Sequence, residues 1–254
     1  MGPDVLPSLT TLAIVAPALV IAYVIFGVAG FGAALISAPV LAHVLPVATI
    51  VPLLALLDCA ASLINGVRLS DKMAKGELVW LVPLMALGTA AGIALLLIVP
   101  PQWMMLALGI FVTCYALYGV LAPPPAATIG RYWIAVAGPI GGMFSGMFGS
   151  GGPIYAMYLS RRLDDRDAFR ATQTTLIACA TVTRGVMFAL AGAYSDRHML
   201  GLLLCFAPAM LFGTWIGHHV TMHMSRATFL RVLYTLLIAS GLSLVIRAVT
   251  SAVS

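Results

Sequence analysis

The feature that most constrains the fold of this chain is the segment at residues 146–153, which reads GMFGSGGP. It contains four glycines and a proline, although it lies within an apolar stretch where a membrane helix is expected. Glycine destabilises a helix by about 1 kcal/mol and interior proline by about 3 kcal/mol, so the helix is expected to break here. Protein or a watery cavity must cover the backbone that such a break frees. The segment therefore predicts either an anion site at a helix N-terminus or close packing of neighbouring helices.

The composition of the whole chain is that of a membrane protein. Hydrophobic residues make up 62% of its 254 positions and charged residues 8%, whereas soluble domains carry about 25% charged residues. We expect an all-α integral membrane protein in the inner or plasma membrane of the cell, with the lipid bilayer as its surroundings. The net charge of +5 does not indicate nucleic-acid binding, because the basic residues lie in short loops between apolar segments.

Six segments are long and apolar enough to be predicted as membrane spans. They cover residues 47–69, 78–99, 102–121, 168–192, 199–220 and 227–249. Two other segments, 10–45 and 132–160, are too long for one span and too short for two, and glycines interrupt both. We predict each as a helical hairpin that is broken within the membrane. A Pro-rich linker at 122–131 separates a first membrane repeat, 1–121, from a second, 132–254.

An internal repeat relates the two halves. A shift of 119 residues places the glycines of one broken segment on those of the other, Gly27, Gly30 and Gly32 on Gly146, Gly149 and Gly151. After a six-residue adjustment, Gly88 and Gly92 fall on Gly213 and Gly217. Each half is therefore predicted to be a glycine-broken helical hairpin followed by three transmembrane helices.

The distribution of basic residues predicts how these repeats are oriented. If each hairpin returns to the side from which it enters, ten of the thirteen lysines and arginines lie on one face. If the broken segments cross the membrane instead, the basic residues are divided about evenly. The positive-inside rule favours the first arrangement. It predicts two inverted repeats with both termini outside.

Two charged side chains lie inside predicted spans, namely Asp58 and Arg184. A charge at the centre of a membrane helix costs about 2.5–3.5 kcal/mol, so each is expected to face a cavity or a partner. Arg184 is predicted either to hold an oxyanion, which suits its planar guanidinium group, or to form a structural ion pair with Asp58. Asp58 is the only carboxyl group within a predicted span and is the candidate for carrying a coupled proton.

The other candidate substrate-binding residues lie on a hairpin tip or within a span. Together with Arg184 they are Ser150, Gly149, Gly151, Gly152, Gly30, Phe31, Gly32, Gln173, Thr174 and Asn65. Amide groups of the second tip, with Arg184, are predicted to bind a small anion. No catalytic residue, metal or cofactor is expected, because the four cysteines lack paired spacing and the histidines lie at the ends of predicted spans or outside them.

The two glycine segments resemble those of the TauE/SafE sulfite exporter family of membrane transporters. The resemblance rests on GVAGFG at 27–32 followed by Pro39, on the segment 146–153, and on ATQT at 171–174. It covers the chain from about residue 13 to residue 249. It implies a transporter that moves sulfite, sulfoacetate or related organosulfur anions, often outward. Ser150 departs from the pattern, since such loops more often carry an apolar residue.

Other functions fit part of the same pattern. A passive anion channel, or a transporter of a small anion without sulfur, would use the same residues. An intramembrane serine enzyme is disfavoured, because no histidine lies in the interior of a span where it could activate Ser150. The chain contains no P-loop motif, so transport is expected to be coupled to an ion gradient. The sequence leaves open whether the protein forms a homo-oligomer.

Overall fold

The computed structural model of the chain describes residues 9–29, 32–64, 72–121, 129–195, 197–220 and 226–253. These ranges are helical and contain no strand, which confirms the predicted all-α fold. The helices are α1 (Leu9–Ala29), α2 (Ala33–Leu41), α3 (Val47–Ile64), α4 (Lys75–Ile98), α5 (Pro101–Leu121), α6 (Ile134–Phe148), α7 (Gly152–Leu159), α8 (Arg166–Leu190), α9 (Arg197–Val220) and α10 (Arg226–Val253). A short 3₁₀ helix, Arg131–Trp133, precedes α6.

Four of the described helices, α4, α5, α8 and α9, are long and apolar enough to cross a membrane. They correspond to four of the six predicted spans. The other two predicted spans correspond to α3 and α10, whose apolar stretches Val47–Ser62 and Leu237–Thr250 are shorter. The Pro-rich linker lies largely outside the described residues, so the division into two halves stays a prediction.

Both predicted helix breaks are present. The first lies between the end of α1 at Ala29 and the start of α2 at Ala33, and the second between Phe148 of α6 and Gly152 of α7. The ends of α1 and α6 are 119 residues apart, and so are the starts of α2 and α7. The helix boundaries therefore follow the shift that relates the glycines in the sequence.

The second break reverses the direction of the chain. Gly149 has a left-handed backbone with φ of 72°, and its N–H donates to the carbonyl of Ser145 at 2.8 Å, which ends α6. Beyond the break, the ring of Tyr155 on α7 lies directly against Gly141 of α6. Because Gly141 lies two turns before the end of α6, this contact requires α7 to fold back along α6. The two helices form a hairpin.

Helices from the two halves pack in matching pairs. The closest of these pairs are α4 with α6, α1 with α9, and α5 with α10. Gly88 of α4 lies against the backbone of Pro139 on α6, and Gly213 of α9 lies against Val20 on α1. The shifts that superimpose the two halves of the sequence also place these two contacts on each other. Glycines allow such close approach, because helices in lipid associate through backbone packing rather than through the hydrophobic effect. The inverted orientation of the halves stays a prediction.

One end of the bundle gathers basic side chains. Lys72 pairs with Asp167, Arg162 with Glu77, Arg131 with the carbonyl of Gly76, and Arg161 with the Tyr118 hydroxyl. These four basic residues are among the ten that the positive-inside argument places on one face. The hydrogen bond that Arg162 donates to Glu77 raises the pKa of Arg162 above its ordinary value. The two internal charges lie within helices, Asp58 on α3 and Arg184 on α8.

Candidate anion-binding site

A small cavity lies where the two helix breaks meet. Its walls come from α1, α3, α8 and both breaks, and they include Asp58 and Arg184. Phe26, Leu35 and Ile177 form apolar parts of the wall. The cavity has a volume of about 30 Å³, roughly the room that two water molecules need. Protein therefore surrounds the backbone of the second break, where Ser150 and Gly151 are buried, as helix breaks at membrane depth require.

Arg184 and Asp58 form a buried ion pair in the cavity wall. Nη2 of Arg184 donates to Oδ2 of Asp58 at 2.8 Å, and the exposed fractions of the two side chains are 2% and 7%. The hydroxyl of Tyr23 on α1 donates to the other carboxylate oxygen, Oδ1, also at 2.8 Å. Arg184 thus lines the cavity and forms the ion pair with Asp58 that the sequence offered as one alternative, while its binding of an oxyanion stays a prediction.

The rest of the guanidinium group points toward the second hairpin. Nη1 of Arg184 donates to the carbonyl of Ser145 at 3.3 Å. A side chain at Gly149 would collide with this nitrogen, so glycine is needed there for contact as well as for the left-handed backbone. Nε of Arg184 is buried and has no hydrogen-bond partner among the described residues. One charged donor therefore remains unused at the cavity wall.

Both short helices begin at the cavity. Ala33 and Ala34 at the start of α2 line it, as do Gly151 and Gly152 at the start of α7. The first amide groups of a helix have no acceptor within that helix, and they carry the positive end of its dipole. Two helix N-termini and one arginine therefore line a cavity that also contains the Asp58 carboxylate and the C-terminal end of α6. The N–H groups at the two helix starts suit the binding of an anion.

Comparison with known proteins gives the family of the chain. The sequence pattern of the sulfite exporter TauE/SafE family matches residues 15–244. The chain belongs to the TauE/SafE family. It is 29% identical over 195 residues to the "Probable inner membrane transporter protein TsaS" of Comamonas testosteroni, a match that covers 76% of this chain and 81% of the relative. No solved structure matches. Since the family and this relative are described as transporters, the chain is a membrane transporter and not an enzyme.

Most residues predicted for the site of this TauE/SafE protein line the cavity. They are Arg184, Asp58, Gly32, Gly149, Ser150, Gly151 and Gly152. Ser150 is 2% exposed, and its hydroxyl donates to the carbonyl of Phe148 at 3.1 Å. Its proton is therefore engaged with the tip itself. The second tip is largely built as the sequence predicts.

Other predicted residues lie elsewhere. Gln173 is buried beside the cavity lining and supports the second tip, since its Nε2 donates to the carbonyl of Gly152 at 2.9 Å. Thr174 is exposed on the outer surface of α8 and does not line the cavity. Gly30, Phe31 and Asn65 lie outside the described residues.

Three residues of the site were not predicted. Tyr23 binds Asp58, Ser145 supplies a carbonyl to Arg184, and Tyr155 lines the cavity from α7. Tyr23 lies in an apolar helix without any local signal, so only the packing of α1 on α3 reveals it. Tyr155 lies two residues after Pro153, and its closeness to the glycine segment is the one sequence signal that pointed toward it.

Proposed function

We propose that this TauE/SafE transporter exports a small organosulfur oxyanion, such as sulfite or the sulfonate sulfoacetate, by alternating access around the cavity at the helix breaks. The observation that carries the proposal is Arg184, a buried cation that faces a cavity between two helix N-termini. Planar guanidinium groups bind oxyanions through paired hydrogen bonds. The family and the TsaS relative support a transporter of this class.

Binding of the anion competes with the internal ion pair. Asp58 holds Nη2 of Arg184, so an incoming oxyanion must replace the carboxylate or share the guanidinium with it. Two anions beside one buried arginine repel each other strongly at low dielectric. Protonation of Asp58 removes this repulsion and frees the arginine. Asp58 is therefore the proposed proton carrier, and uptake of a proton favours uptake of the anion.

The cavity must widen during transport. Its volume of about 30 Å³ holds roughly two water molecules, and a sulfonate is larger. Its walls come from both halves, because Asp58 lies on α3 and Arg184 on α8. Rocking of one half against the other opens such a site first to one side and then to the other. The positive-inside argument gives the proposed orientation, with both termini outside.

The direct test is transport by the purified protein in liposomes. We expect saturable uptake of radiolabelled sulfite or sulfoacetate that is accelerated by the same anion inside the vesicles and by a proton gradient. Arg184→Lys is expected to abolish it, because a point charge does not replace the guanidinium fork. Arg170→Lys is the matched control, since Arg170 is an exposed residue on the same helix. Flux without saturation or exchange would show a channel, and selective uptake of carboxylates would show a transporter for anions without sulfur.

A further inference from the structure

Tyr155 carries a buried hydroxyl group that the ion pair does not use. The residue is fully buried and lines the cavity. No described residue forms a hydrogen bond with its hydroxyl. The hydroxyl of a buried tyrosine usually finds a partner, because leaving it unpaired costs about 1–3 kcal/mol. Folding alone therefore does not account for a polar group at this place.

Other tyrosines in the bundle show the usual arrangement. The hydroxyl of Tyr23 donates to Asp58, that of Tyr158 to Glu77 at 2.7 Å, and that of Tyr194 to the carbonyl of Pro52 at 3.2 Å. Tyr158 lies on α7 only three residues after Tyr155. Tyr155 differs from all three because it lines the cavity and its hydroxyl has no hydrogen-bond partner among the described residues.

The ring of Tyr155 is held in place by backbone. One edge of the ring lies directly against Gly141 of α6. The other edge lies so close to Gly151 at the hairpin tip that a side chain at position 151 would have no room. Contacts on both edges favour the orientation that the ring has in this structure. Such a preorganised donor loses little entropy when a ligand binds.

We propose that Tyr155 binds the transported anion, its hydroxyl donating a hydrogen bond to one oxygen while Arg184 binds another. This inference rests on the proposed function. Nε of Arg184, another residue of the cavity lining, is a second buried donor without a hydrogen-bond partner among the described residues, so a ligand with several acceptor atoms can satisfy both groups. Sulfite and sulfonates provide several oxygens around one centre, whereas a halide is a single atom. Tyr155 thereby selects oxyanions over chloride.

The test is the variant Tyr155→Phe, which removes only the hydroxyl, in the purified full chain. We expect the Kd for sulfite or sulfoacetate, measured by calorimetry, to rise about tenfold, as for a lost hydrogen bond to a charged group. The Kd for chloride should change much less. The unfolding midpoint in anion-free buffer should stay the same or increase, because an unpaired hydroxyl has been removed.

Tyr158→Phe is the matched control on the same helix. Because the Tyr158 hydroxyl has a protein partner, we expect this variant to lower the unfolding midpoint and to leave the Kd unchanged. If the wild type binds an oxyanion and Tyr155→Phe binds it equally well, the role of Tyr155 is refuted while anion transport stands. A lower unfolding midpoint for Tyr155→Phe without anion would refute it too, because the hydroxyl would then be structural. If the wild type binds no oxyanion, the proposed function fails and this inference with it.

Discussion

Nη2 of Arg184 lies 2.8 Å from Oδ2 of Asp58, although the two residues are 126 positions apart and lie in different halves of the chain. The pair joins α3 to α8 at the cavity, and Tyr23 extends it to α1. A buried ion pair is costly to form and more costly to break, since removal of one partner leaves an uncompensated charge. The same contact can therefore hold the two halves together and yield to an anion that replaces the carboxylate.

The first prediction concerns this pair. Asp58→Asn and Arg184→Met should each lower the free energy of unfolding by about 3–5 kcal/mol, because each leaves one buried charge unpaired. The double variant should lose markedly less stability than the sum of the losses in the two single variants. Chemical denaturation in detergent measures the free energy of unfolding of the wild type, the two single variants and the double variant. Strictly additive losses would mean that the two side chains do not interact in the membrane protein.

A second prediction concerns Gly149 at the hairpin tip. Gly149→Ala should cost about 1–2 kcal/mol of stability because φ is 72°, and it should also weaken binding of sulfite because the new methyl group displaces Arg184. Gly192→Ala is the control, since Gly192 has φ of 75° but lies in the turn after α8. We expect the control to lose similar stability and to keep its Kd. If both variants bind sulfite with the same Kd, contact with Arg184 is not the reason why residue 149 is a glycine.

A third prediction concerns the contact between α4 and α6. Gly142→Ala places a methyl group against the carbonyl of Met85, so the helices must separate at a cost of about 1–3 kcal/mol. Gly185 lies inside α8 with no atom near the position of an added Cβ. Gly185→Ala should therefore stabilise the protein by up to about 1 kcal/mol, through helix propensity alone. Thermal unfolding in detergent distinguishes the two, and equal shifts would contradict the close approach at Gly142.

A fourth prediction concerns Glu77 at the basic end of the bundle. Its side chain accepts hydrogen bonds from Tyr158 at 2.7 Å and from Arg162 at 2.8 Å, and 8% of it is exposed. Glu77→Gln should lower the free energy of unfolding by about 1.5–3 kcal/mol, the range for hydrogen bonds to charged groups.

The control for Glu77 is the exposed pair of Lys72 and Asp167, whose exposed fractions are 59% and 63%. Asp167→Asn is expected to leave the unfolding midpoint unchanged, because solvent screens exposed pairs. Equal losses in Glu77→Gln and Asp167→Asn would indicate that burial does not strengthen the contacts of Glu77.

Much of the architecture could be predicted from residue types alone. Glycine and proline act on the local backbone, so their clusters predicted both helix breaks, the first of which lies between Ala29 and Ala33. The positions of Asp58 and Arg184 inside apolar segments marked them as functional candidates, because charge within a membrane is costly wherever the helix packs. The glycine segments also carried the resemblance that the family match confirms.

The faces of the helices could not be predicted in the same way. Lipid and the interior of a helix bundle are both apolar, so an apolar helix contains little information about which side turns inward. Thr174 was therefore assigned to the site although it is exposed on α8, and Tyr23 was missed although it holds Asp58. The sequence by itself determined the membrane fold, its breaks and its two internal charges. Only the packing of α1, α3, α7 and α8 decided that Arg184 pairs with Asp58 beside Tyr155, because these contacts join segments far apart in the chain.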